Sequence, residues 1–206
     1  MSTGLRRRLN IDFTITNEPL EVYGAESRQF FIKGRGESMR HVMMKLMSYI
    51  MFYHDELLVE ASANQAHKPD LVRFNLREEP IQWIDCGQTS LQKLDRISSR
   101  NRLTYIEIVK TTRSALESYF IQADARLSNP GRVRYWAFRD HFIEELGELM
   151  THGRHEITAT VSAGHSHAYL LIDDEVDLRT PLHYLGSAPL PGVKLSPQDE
   201  DEGAAV

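Results

Sequence analysis

The chain has 206 residues, 41% of them hydrophobic and 26% charged, a length that forms one domain with a substantial core. Its formal net charge of −5 excludes a uniformly basic nucleic-acid binder but leaves room for a local basic patch. Cys86 is the only cysteine, which excludes an internal disulfide. No run reaches the ~18 apolar residues of a membrane span, so a cytoplasmic protein is expected.

Leu9, Ile11, Phe13 and Ile15 alternate with polar residues, the pattern of a half-buried strand. "RQFFIK" (28–33) predicts a second strand, giving an N-terminal hairpin with a long connection. Gly34 and Gly36 then interrupt the chain. Met39, Val42, Met43, Leu46, Met47, Ile50 and Tyr53 recur at helical spacing, with Glu37 at the head of the segment. Three short strands are expected next, at "LLVEAS" (57–62), "DLVRFN" (70–75) and "IQWIDC" (81–86). The last two are joined by the polar loop "LREE".

A helix capped by Thr89 or Ser90 follows, then a buried strand at "LTYIEIVKT" (103–111). Ser114 is the expected cap of the next helix, which Asn129-Pro130 stops. In the last third, "RVRYWAF" reads as a strand and "RDHFIEELGELM" as a helix. "EITATVSAGHSHAYLLID" reads as two strands about a turn at Ser162–Ser166. "VDLRTPLHYL" reads as one final edge strand, because Pro181 cannot donate to a ladder. The expected fold is α/β (α+β), a mixed central sheet flanked by helices, with extra strands at both ends. One domain spans 1–186. The acidic, proline-containing segment 187–206 is expected to be a disordered tail.

Two acids stand out. If Asn75 pairs with Pro80 across the loop, the same register opposes Asp70 and Asp85, with Cβ atoms roughly 5 Å apart. Opposed buried carboxylates repel, so a cation between them or a bound proton is required. A divalent ion such as Mg²⁺ would satisfy both and could serve phosphodiester hydrolysis. The competing reading is an internal pair, with Asp85 held by Arg73, Lys93 or Lys110. His165 with His167, and His141 with Glu145, also have ligand spacing, but two donors without a third are ordinary surface groups. Trp83 is expected in the core, and Cys86 as a buried structural thiol.

The stretches "GESMRHVMMKLMSY", "KPDLVRFN", "WIDCGQTSLQKL" and "YIEIVK" resemble, in that order, the YaeQ family of bacterial proteins, over about residues 9–186. That family resembles a divergent branch of the PD-(D/E)xK nuclease superfamily. The resemblance implies a restriction-endonuclease-like core of order αβββαβ, binding Mg²⁺ or Mn²⁺ and acting on nucleic acid. It implies Asp70 as the PD aspartate, Asp85 as the (D/E)xK acid and Glu37 as a further metal-ligating acid. The motif lysine would stand two residues after Asp85, where this chain has Gly87. Lys93, in the first turn of the following helix, is the candidate to replace it. Two activities are therefore in view: a metal-dependent phosphodiesterase, or a catalytically inactive nuclease-like module binding nucleic acid or a protein partner. Lys68, Arg73, Arg77, Lys93, Arg96, Arg100, Arg102, Lys110 and Arg113, against Asp70, Glu78, Glu79, Asp85, Asp95 and Glu107, leave this region a local excess of +3, suited to phosphate contacts.

Overall fold

The structure, a computed structural model, describes residues 7–151 and 153–186; the expected tail at 187–206 lies outside them. Strand β1 (Arg7–Asn17) runs antiparallel to β2 (Val22–Lys33). The expected long connection is instead a single 3-10 turn, Glu18–Leu20, capped by the Asn17 side chain. Proline at its start and a left-handed Glu21 (φ 56°) let the chain reverse at once. Strand β2 therefore begins six residues earlier than apolar content alone suggests.

Helix α1 (Met39–Met51) starts after the cap Ser38, so Glu37 lies outside the helix. The short β3 (Leu58–Val59), then β4 (Leu71–Phe74) and β5 (Pro80–Cys86), follow. Next come α2 (Leu91–Arg100), capped by Ser90, and β6 (Tyr105–Lys110). Helix α3 (Arg113–Asp124) is capped by Thr112, whose hydroxyl accepts from Ala115 N–H, in place of the expected Ser114. After β7 (Val133–Ala137) and α4 (Phe142–Leu149) come β8 (Gly153–Val161), β9 (His167–Ile172), β10 (Val176–Pro181) and β11 (His183–Leu185).

The strands form two open mixed sheets. One has the order β10-β9-β8-β1-β2, the other β11-β7-β6-β5-β4-β3. The expected helix, three strands, helix, strand order forms the heart of the six-stranded sheet, and the terminal strands build the other. The single strand expected at "VDLRTPLHYL" is two. Pro181 ends β10 in one sheet, Leu182 is buried at the crossing, and β11 joins β7 in the other.

Helix α1 lies between the sheets. It packs Val42–Met51 against Leu9, Ile11, Phe13 and Ile157 on one side and Leu71, Ile84, Cys86 and Val109 on the other. A helix enclosed on both sides is buried nearly all round, which accounts for its methionine-rich composition. Helices α2 and α3 cover the opposite face of the six-stranded sheet through Leu94, Ile97 and Leu116, against Trp83, Ile106 and Ile108. Among the described residues no helix is long and apolar enough to cross a membrane.

Candidate functional site at the carboxyl end of β5

Strands β5, β6 and β7 are parallel. Open sheets of this kind offer ligand sites beyond the carboxyl ends of their parallel strands. Asp85 is the penultimate residue of β5, and Lys110 the last of β6.

The β4–β5 register agrees with the expected one from Leu71↔Ile84 to Arg73↔Gln82, then slips so that Phe74 faces Pro80. Asp70 stands one residue before β4, and its N–H makes the last ladder bond, to Ile84 C=O at 3.0 Å. Cys86 N–H points toward β4 but finds no backbone acceptor there. The Asp70 carboxylate takes that place, with Oδ2 at 2.7 Å. Asp70 thus continues the ladder with a side chain. Its other oxygen meets His41 Nε2 of α1 at 2.9 Å.

Burial alone would raise the pKa of Asp70, but His41 and the Cys86 N–H together bring it below the usual carboxylate value. Burial would likewise depress His41, and the bond and charge of Asp70 reverse that, so His41 is raised. Glu37 joins the same group from the loop before α1. Its Oε1 lies 3.6 Å from His41 Nε2 and 2.6 Å from Lys45 Nζ, and its Oε2 accepts Gly34 N–H at 2.7 Å. Lys45 is buried in the apolar helix and also bonds Glu60. The sequence signals for this chain of charges are the Glu37–His41 spacing and a lysine amid the buried stripe.

Asp85 turns the other way, onto the face shared with Trp83 and α2. Its Oδ1 accepts Trp83 Nε1–H at 3.0 Å. Its Oδ2 meets Lys93 Nζ at 2.6 Å, with the Thr89 hydroxyl at 3.4 Å. Burial raises the Asp85 pKa; Lys93 opposes this and the charge of Asp70 adds to it, leaving it above the ordinary 3.8. Lys110 completes this side. Its ammonium donates to Gly87 C=O and lies over the Tyr119 ring, 3.7 Å from the centroid. Burial lowers its pKa to about 8 against the pull of Asp85. So Asp70 and Glu37 meet through His41, whereas Asp85 and Lys93 meet each other.

Gly87 has a structural cause. Its φ is +74°, and an added Cβ would lie 3.1 Å from Met44 Cε and 3.4 Å from His41 Nδ1. The backbone turns left-handed there, which glycine alone adopts without penalty. A lysine at this position would strain the chain and crowd the Met44 and His41 side chains of α1.

Of the remaining candidates, Cys86 is fully enclosed beside Ser48, and burial pushes its thiol well up. His165 is buried against Trp136, its pKa lowered to about 4 by burial. Glu145 pairs with Arg139 rather than His141.

The two open mixed sheets with flanking helices define an α+β protein of a recognised architecture. It matches the YaeQ protein of Xanthomonas axonopodis pv. citri with a TM-score of 0.76 at 18% identity, covering 90% of this chain and 100% of that one. It matches the YaeQ protein of Pseudomonas syringae with a TM-score of 0.71 at 20% identity, covering 87% and 96%. The family model of the YaeQ protein matches residues 35–177. The chain belongs to the YaeQ family. No curated protein matches it.

Proposed function

We propose that the chain is a nuclease-like module that holds nucleic-acid phosphates on its α2 flank without cutting the backbone. The observation that carries this reading is the ion pair between Lys93 Nζ and Asp85 Oδ2, at 2.6 Å. An ammonium group stands against the acid that would face a metal ion in the PD-(D/E)xK superfamily. The likeness to that superfamily is supported by the element order and by the placement of Asp70 before β4 and Asp85 near the end of β5.

A Mg²⁺ or Mn²⁺ ion does not fit this donor set. Both oxygens of Asp85 and both of Asp70 already accept bonds, and Glu37 is engaged with Lys45. Among the described residues no three His, Cys, Asp or Glu side chains converge closely enough to hold an ion. Octahedral Mg²⁺ needs free carboxylate oxygens and room for its waters.

Phosphate binding is supported by Lys68, Arg96, Arg100 and Arg102. All four are exposed, and none makes an ion pair among the described residues. Fluorescence anisotropy with single-stranded and duplex oligonucleotides at varied salt tests this. Binding that weakens with salt is expected, without cleavage in Mg²⁺ or Mn²⁺. Replacing Arg96 and Arg100 by Gln should flatten the duplex salt slope by about 1.8, roughly 0.9 for each lost phosphate contact. Absence of binding at low salt would remove the proposal.

A second reading is the metal-dependent phosphodiesterase, with Asp70, Asp85 and Glu37 as metal ligands and Lys93 assisting the attacking water. Lys110 favours it. With a pKa of about 8, it is a lysine able to release its proton near neutral pH beside Asp85. That reading requires Lys93 to withdraw from Asp85, His41 from Asp70 and Lys45 from Glu37, and cleavage that is lost in Asp85→Asn would establish it.

A further inference from the structure

Strand β2 closes one side of the five-stranded sheet, and no described strand pairs with its outer edge. Long free edges are ordinarily blunted, because their unpaired backbone groups recruit other chains. Strand β2 runs for 12 residues without proline; its one left-handed residue, Gly24 (φ 62°), marks a bulge against β1 at the start of the strand, and from Ala25 to Lys33 the edge is regular. Its solvent-facing row carries Glu26, Arg28, Phe30 and Ile32, the last two each 44% exposed. The charges in that row are not balanced among the described residues. Arg28 and Arg154 share the single carboxylate of Asp12. Glu26 has no ion-pair partner among the described residues.

Two identical antiparallel strands related by a two-fold axis must place some residue opposite its own copy, and opposed residues then share a face. Few registers are open to this segment. Centring on Glu26 or Arg28 opposes like charges. Centring on Gln29 sets Arg28 against Phe30 and leaves Glu26 facing Ile32. Centring on Ser27 sets Glu26 against Arg28 twice, once on each side of the axis. The same register brings Phe30 to Gly24, where an added Cβ would meet nothing within 4 Å and where β2 bulges against β1. An aromatic ring covering an edge glycine is a recognised cross-strand device.

We infer that a second copy of this chain docks along β2, antiparallel and centred on Ser27, joining the two five-stranded sheets into one. Backbone hydrogen bonds supply the attraction, and the paired Glu26–Arg28 contacts fix the register.

Light scattering and equilibrium sedimentation of the whole chain at low salt and graded concentration test this. The parent should reach twice the monomer mass. Glu26→Arg and Arg28→Glu should each raise the dimer dissociation constant at least about tenfold, by opposing like charges twice. The double variant E26R/R28E should restore the parent value. Circular dichroism confirms that each variant is folded. Glu26→Lys reads the same contact if Arg28→Glu, which loses its bond to Asp12, does not fold. A parent that stays monomeric overturns the proposal. So do single variants that associate like the parent, or a double variant that does not recover.

Discussion

Glu107→Ala lowers the stability of the fold by about 3–5 kcal/mol, the usual loss when one partner of a buried ion pair is removed. Glu107 is wholly enclosed in the middle of β6. It accepts Arg134 Nε–H at 3.1 Å, a further bond from Arg134 Nη2, and Trp136 Nε1–H at 2.8 Å. The Arg134 guanidinium also lies over the Tyr105 ring, 4.4 Å from its centroid. Truncating Glu107 takes its carboxylate away from the buried Arg134 guanidinium and from the Trp136 indole N–H. Urea unfolding measures the loss. Exchanging both partners, Glu107→Leu with Arg134→Met, should recover most of it, because apolar groups of similar volume need no desolvation. A loss below about 1 kcal/mol in the single variant would mean that water reaches the pair, contrary to the described packing.

Lys93→Ala has the second large effect, about 2–3 kcal/mol at pH 8 and much less near pH 4. The pH dependence follows from Asp85. Its pKa in the fold already lies above the ordinary 3.8, chiefly through burial. Ionisation of Asp85 therefore disfavours the folded state. The penalty grows as pH rises from 3.8 through the folded value and is complete above it. Without Lys93 the folded value rises further, so the window widens upward and the penalty increases. Parent and variant unfolded in urea at several pH values should diverge with rising pH. A constant difference would show that Lys93 contributes packing alone. The comparison also separates Lys93 from Lys110, whose ammonium is held by Gly87 C=O and the Tyr119 ring rather than by a carboxylate.

Much of this arrangement was legible in the sequence, where local periodicity and short-range register govern. The alternation from Leu9 to Ile15 marks the buried row of β1, and the methionine stripe marks α1. Loop length places Asp70 and Asp85 in one register, which β4 and β5 follow for their first three pairs. Periodicity reports that a residue is buried, but not against which neighbour. It therefore merges β10 and β11, which belong to different sheets on either side of Leu182. It shows a lysine at position 45 without showing that Glu37 and Glu60 close around it.

The site was legible in its residue types and less so in its directions. The Asp70 side chain substitutes for a missing strand residue by accepting Cys86 N–H, which no alternation rule predicts. The Asp85–Lys93 pair, by contrast, follows from the reach of a lysine in the first turn of α2. Gly87 illustrates the same limit. The resemblance to the PD-(D/E)xK pattern implies a lysine at this position, whereas the left-handed backbone and the approach of Met44 and His41 account for the glycine that stands there.

Calorimetric titration of the parent and of Asp85→Asn with Mn²⁺ puts the central claim to its most direct test. With Lys93 seated on Asp85, the parent should take up no stoichiometric ion, and the two proteins should give the same heats. Saturable binding of Mn²⁺ by the parent, lost in Asp85→Asn, would contradict the account.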